Sequence, residues 1–211
     1  MILSSQPKST HRKYNFYMER IILVRHGQTN KNAEGKLHMA DDGESLNNVG
    51  IEQIKKTAEK LKGFLPAKVY SSKEKRATES AQIIAKELGI ASDIIEGMQE
   101  RNWGDFSGNT WEEILKILQP MSLEERYLYI PPSGESWKQF ESRLIQAINV
   151  LLSQNKNKTI VVVSHMGAIR ALMPYLLGLP KEESFKYEPG NASVVVFNHD
   201  NGKFFQQNFS L

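Results

Sequence analysis

The sequence predicts an α/β protein with a mostly parallel sheet and an antiparallel edge. Three observations carry that prediction. Ile21-Ile22-Leu23-Val24 and Ile160-Val161-Val162-Val163 are short and wholly apolar, as strands buried on both faces are. Segments with apolar residues at helical spacing alternate with such runs. Near the end, Val194–Phe197 and Phe204–Phe209 flank NHDNGK, and the Asn201-Gly202 pair is a hairpin signal.

Taken in order, Ile21–Val24 is the first strand. Ile51, Ile54, Ala58 and Leu61 form one face of a helix that ends near Gly63. Lys68-Val69-Tyr70 is a short strand before Ser71-Ser72. Ala77, Ala81, Ile84, Ala85 and Leu88 mark a helix stopped by Gly89, and Ile94-Ile95 a further short strand. Ser136 and Gln139 have the spacing of a capping box, ahead of a helical face of Trp137, Phe140, Leu144, Ile148 and Leu151. The second buried strand leads into the helical stretch GAIRALMPYLLG, and the hairpin closes the chain. Residues 107–135 fit this alternation least well and are expected to be an insertion over one end of the sheet.

Bulk properties narrow the function. With 211 residues the chain suits one domain, taken as 19–211 with the 107–135 insertion as its lid. Residues 1–18 hold Lys8, Arg12 and Lys13 and no acid, which accounts for the whole net charge of +3. That segment is expected to be a disordered extension. The rest is balanced, which argues against a nucleic-acid partner. No run has the ~18–20 apolar residues of a membrane helix. Cysteine is absent, which rules out thiolate chemistry and disulfides and fits a reducing, cytoplasmic setting. The apolar edge hairpin suits a homodimer.

The candidate chemistry lies where strands end, because ligands of open α/β sheets bind beyond the carboxyl ends of the strands. Arg25-His26-Gly27 follows the first buried strand, and Ser164-His165 follows the second. Arg76 opens the helix after VYSS. Two histidines and two arginines at one sheet edge suit a phosphoryl group. Guanidinium forks match phosphate oxygens and keep their charge. A neutral imidazole can attack phosphorus. Glu100, after the short strand, is the best candidate for the acid that protonates a leaving alkoxide. Gly27 suggests that a ligand comes close to the backbone. A zinc site of His26, His165 and Glu100 is the rival reading, and Arg25 and Arg76 count against it by charge. Asp41–Glu44 lacks the spacing of a calcium loop and reads as a surface turn.

Five blocks, VRHGQTNKN, SSKEKRATESA, QERNWGDFSG, PSGES and VVVSHMGAIR, resemble the signature blocks of the histidine phosphatase superfamily, in its phosphoglycerate-mutase-like branch. The resemblance spans residues 20 to about 197. It implies a three-layer α/β/α sandwich, His26 as nucleophile, Glu100 as acid/base, and Arg25, Arg76 and His165 around the phosphoryl group. Asn32, Thr29, Gln28 and Gly167 would contact substrate. No metal or cofactor is implied, and the partner is a small phosphorylated substrate.

The chain departs from the family pattern in places. His38-Met39 stands where a Gln-Gly pair is common, and Met166 replaces the first glycine after His165. The mutases carry a longer, arginine-rich insertion, whereas Arg126 is the one arginine of 107–135. A lid poor in cations favours product release, so a phosphatase is expected, with a phosphoglycerate mutase and a non-catalytic phospho-ligand binder as alternatives. Trp103, Phe106, Trp111, Tyr127 and Tyr129 are candidates for an apolar or sugar-facing pocket, against the plainer role of packing the lid.

Overall fold

The computed structural model describes residues 19–38, 43–200 and 203–207. The 1–18 extension, the Asn201-Gly202 turn and Met39–Asp42 of the turn after His38 lie outside the described residues.

Six strands form one sheet in the order β3-β2-β4-β1-β5-β6. They are β1 (Glu19–Arg25), β2 (Lys68–Ser71), β3 (Ser92–Ile94), β4 (Thr159–Ser164), β5 (Val194–Asp200) and β6 (Lys203–Gln207). Strands β1 to β4 pair in parallel, β5 runs antiparallel to β1, and β6 antiparallel to β5. The antiparallel edge expected from the hairpin is formed by β5 and β6, with β6 outermost.

The continuous apolar runs have the expected cause. In β1, Ile21 and Leu23 join one buried cluster while Ile22 and Val24 join another; in β4, Ile160 and Val162 divide from Val161 and Val163 in the same way. Side chains alternate across a strand, so a sheet covered on both faces needs apolar residues at every position. Helices α6 (Trp137–Gln154) and α7 (Met166–Leu177) cover the first face. Helices α2 (Asn48–Leu61) and α3 (Lys75–Leu88) cover the second, which makes the three layers. The Ser136–Gln139 capping box forms and starts α6.

Residues 107–135, expected to be an insertion, carry two helices. After the one-turn α1 (Asn30–Ala33) and the elements above, α4 (Trp111–Leu118) and α5 (Leu123–Leu128) fill residues 111–128. Each opens on a capping box, Thr110 with Glu113 and Ser122 with Glu125. Trp103, Ile114 and Leu118 make a small separate core beneath them. The loop after α1 is fastened to residues 108–111: Leu37 N donates to Asn109 O at 2.9 Å, Gly108 N to Leu37 O at 3.2 Å and Trp111 N to Gly35 O at 3.2 Å. Among the described residues no helix is long and apolar enough to cross a membrane.

Candidate active site

Strand register builds the site. Arg25 of β1 is level with Ser164 of β4, so residues 26 and 165 leave the sheet side by side. The chain after β1 turns into α2 on one face, and the chain after β4 enters α7 on the other. That divergence opens a crevice at the carboxyl edge. His26 N donates to Ser164 O at 3.0 Å, and the His26 and His165 rings lie 5.2 Å apart. Gly27 serves packing rather than ligand approach. A Cβ there would sit 2.5 Å from Gly50 O, so the glycine lets the chain pass against the first turn of α2.

His26 is 2% exposed. Burial pushes its pKa well below the ordinary 6.5, and the charges of His165, Arg76 and Arg25 push it the same way; a hydrogen bond to Gly27 O opposes them. The ring is therefore neutral near pH 7. Its Nδ1 lies 2.7 Å from Gly27 O, which can only accept, so Nδ1 carries the proton. Nε2 is left with its lone pair, the form a nucleophile needs.

His165 is fully buried behind His26. Its Nε2 lies 2.7 Å from Ser72 Oγ and 3.3 Å from Glu74 Oε2. Burial raises the Glu74 pKa, but His165 and Arg76, with hydrogen bonds from His165 and Ser72, outweigh it and hold the carboxyl well below the usual range. Ser72 Oγ and His165 Nε2 share one hydrogen bond, its direction set by the His165 tautomer. The other ring nitrogen, Nδ1, is buried with no hydrogen-bond partner.

Glu100 sits across the crevice. Its Oε1 accepts from Arg101 N at 2.8 Å and its Oε2 from Gly167 N at 3.0 Å, in the first turn of α7. Gly167 thus holds the carboxylate directly: a Cβ there would meet Oε1 at 2.3 Å. Glu100 N in turn donates to Glu74 Oε1 at 3.0 Å, so Glu74 links the supports of His165 and Glu100.

Arg25 and Arg76 line the same cavity. Arg25 Nη1 donates to Pro189 O at 2.9 Å, and its Nε is buried without a partner. Burial lowers its pKa, Glu100 raises it, and the neighbouring Arg76 lowers it again. Arg76 is 1% exposed. A buried guanidinium and a half-buried one, close enough to feel one another, form a site in which an anion relieves both burial and repulsion.

The remaining expected contacts divide. Asn32 lines the cavity; its Oδ1 accepts from Thr29 N at 3.2 Å and Asn191 Nδ2 at 3.1 Å. That fixes its amide orientation, and Nδ2 meets His38 Nε2 at 3.2 Å. Thr29 and Gln28 do not line the cavity. Thr29 caps α1, and the Gln28 side chain accepts from Asn47 Nδ2 at 3.0 Å.

Sequence reading missed Asn191, Trp137 and Arg170, which line the cavity, and Ser72 and Glu74, which hold His165. Ser72 and Glu74 lie inside SSKEKRATESA, next to Arg76, and their closeness to the strand end was the available signal. Of the aromatic candidates, Trp103 and Trp111 line the cavity. Phe106 and Tyr129 pack beneath the lid, and Tyr127 donates to Glu141 and packs against the α6–α7 core. Among the described residues no three His, Cys, Asp or Glu side chains are grouped to hold a metal, so the zinc reading has no ligand set.

A neutral, buried imidazole beside two arginines and a carboxylate, at the carboxyl edge of a parallel sheet, has the make-up of a phosphoryl-transfer enzyme. The chain belongs to the histidine phosphatase superfamily (branch 1), whose sequence pattern matches residues 21–210. It is 38% identical over 158 residues to phosphoglycerate mutase-like protein 4 of Arabidopsis thaliana, covering 72% of this chain and 68% of that one. It is 35% identical over 159 residues to the metal-independent phosphoserine phosphatase of the same plant, covering 72% and 66%. The chain therefore spans about two thirds of these relatives. Among solved structures, phosphoserine phosphatase of Entamoeba histolytica in complex with phosphoserine superposes with a TM-score of 0.78 at 30% identity, over 91% of this chain and 96% of that one.

Proposed function

We propose that the protein is a metal-independent phosphoric monoester hydrolase that acts on a small phosphorylated metabolite through a phosphohistidine at His26. The observation that carries this is the tautomer of His26, neutral and with Nε2 unprotonated, between Arg25 and Arg76. Nε2 attacks phosphorus and the P–O ester bond breaks. Arg25, Arg76, Asn32 and His165 take up the charge on the non-bridging oxygens. Glu100, in its acid form, protonates the departing alkoxide, and the alcohol leaves. As a carboxylate it then takes a proton from water, which attacks the phosphohistidine. Inorganic phosphate is released and the imidazole regenerated.

The phosphatase reading is favoured over a mutase by where the outer cations are engaged. A mutase must hold a second phosphate. Of the outer cations lining the cavity, Arg101 donates to Glu135 O and Tyr129 O, both at 3.1 Å, Arg170 to Ser184 O at 3.4 Å and Phe185 O at 3.1 Å, and Lys36 pairs with Glu34 at 2.7 Å. The cysteine-free composition fits work in the cytoplasm, and the β5–β6 edge suits pairing of two copies.

The test is rapid quench in alkaline denaturant with a phosphate monoester, followed by mass analysis without acidification, because the P–N bond of phosphohistidine is labile in acid. The wild type is expected to gain one PO3 group on His26, with turnover unchanged by chelators. His26→Ala is expected to lose both the adduct and turnover. Full turnover in His26→Ala, or loss of wild-type turnover on chelation, overturns the reading, and isomerisation of 3-phosphoglycerate faster than its hydrolysis gives the mutase instead.

A further inference from the structure

The cavity is larger than a phosphoryl group requires, and its outer part has a different chemistry from its floor. Its volume is about 340 Å³. Beyond the arginines, the wall is made by Leu37, Trp103, Trp111, Trp137 and Met166. They come from four separate places in the chain. The indoles of Trp103 and Trp111 meet edge to face, with ring centres 5.8 Å apart and planes at 74°. Trp111, at the start of α4, is 38% exposed, an uncommon placement for an indole with no ligand to cover it.

The wall is also fixed. Leu37 and Trp111 lie on the two segments joined by backbone hydrogen bonds between residues 35–37 and 108–111. The Arg101 guanidinium stacks on the Trp103 ring at 4.2 Å and donates to Glu135 O and Tyr129 O, both at 3.1 Å. It thereby stiffens the indole and is itself drawn away from a ligand. Arg170, the other outer arginine, is anchored on Ser184 O and Phe185 O at 3.4 and 3.1 Å. A preformed chamber with aromatic walls recognises area and flatness, at little cost in ordering. Within the chamber, the buried Trp137 Nε1–H lacks a partner.

We infer that the leaving group of the substrate carries a flat apolar ring, which lodges against the wall of Leu37, Trp103 and Trp111 while the phosphoryl group occupies the arginine floor. This inference rests on the proposed hydrolase activity and adds the substrate class. A ring so placed covers Trp111, and a chain of a few atoms links it to the ester oxygen beside Glu100.

The test compares hydrolysis of 3-phenylpropyl phosphate, n-propyl phosphate and O-phosphoserine. The two alkyl esters share nearly the same leaving alkoxide, so their difference reads the ring. The wild type is expected to favour the phenyl ester at least about 10-fold in kcat/KM over both others. Trp111→Ala and Leu37→Ala, on different segments, are each expected to shrink that preference several-fold, and Trp111→Phe to restore most of it. Equal kcat/KM for the two alkyl esters overturns the ring inference and leaves the hydrolase reading standing. So does a 10-fold preference for O-phosphoserine, or a ring preference that survives both alanine variants. Absence of hydrolysis of all three esters by the wild type defeats both.

Discussion

Gly167 shows how much one missing methyl group decides in this site. Its N–H holds Glu100 Oε2, and the space where a Cβ would stand is occupied by Oε1. The atom in the way is the end of a flexible side chain, so Gly167→Ala displaces the carboxylate rather than the backbone. Turnover is expected to fall about 10²-fold, as for a catalytic group moved by about 1 Å, while the melting temperature stays close to wild type. Steady-state kinetics beside a thermal melt checks this, and an equal loss in both would place the glycine in folding instead. The sequence pointed to His26, Arg25, Arg76, His165 and Glu100 as candidates because each follows a strand, and the sheet brings strand ends to one edge. It did not reveal Glu74, whose role depends on reaching His165 from a different strand–helix junction. Nor did it show that Gln28 and Thr29 turn to structural partners, since neighbours in a loop sequence need not face the same way.

At the scale of elements, the close approach of β1's exit to α2 is a two-glycine contact. A Cβ on Gly27 would meet Gly50 O at 2.5 Å, and one on Gly50 would meet Gln28 O at 2.2 Å. Here the obstacle is backbone. Gly27→Ala is expected to destabilise the fold by about 1–3 kcal/mol, read as a lower midpoint in urea unfolding. An unchanged midpoint would mean that the turn has room to shift. The buried strands and the four covering helices were legible because period alone distinguishes them. Helices α4 and α5 were not, being short and with no sheet beneath them to impose a long apolar stripe. Their T-x-x-E and S-x-x-E boxes were the only local marks. The place of β5 inside β6 follows from the hairpin, but only the register against β1 makes it part of the main sheet.

The whole molecule carries the electrostatic consequence of its site. Three groups that prefer water, Arg25, His26 and Arg76, lie against one another at the sheet edge, and the folded state without an anion bears that strain. For His26 the sign of the pH effect follows from its depressed pKa. The unfolded chain protonates it near 6.5, whereas the folded protein resists protonation. Between those two values the unfolded state binds more protons, so stability is complete above pH 6.5 and declines as pH falls, by up to about 1.4 kcal/mol per pH unit for this one group. Glu74 works in the same sense further down: its contribution is present above the ordinary 4.5 and lost as pH drops towards its lowered folded value. The phosphate-free protein is therefore expected to unfold progressively more easily from pH 7 to pH 5, and His26→Gln, which has nothing to protonate at that position, to lose distinctly less over the same range. Chemical denaturation at half-unit steps measures the difference between the two curves. Parallel curves would mean that His26 accepts a proton as readily folded as unfolded, and the neutral nucleophile would lose its physical basis.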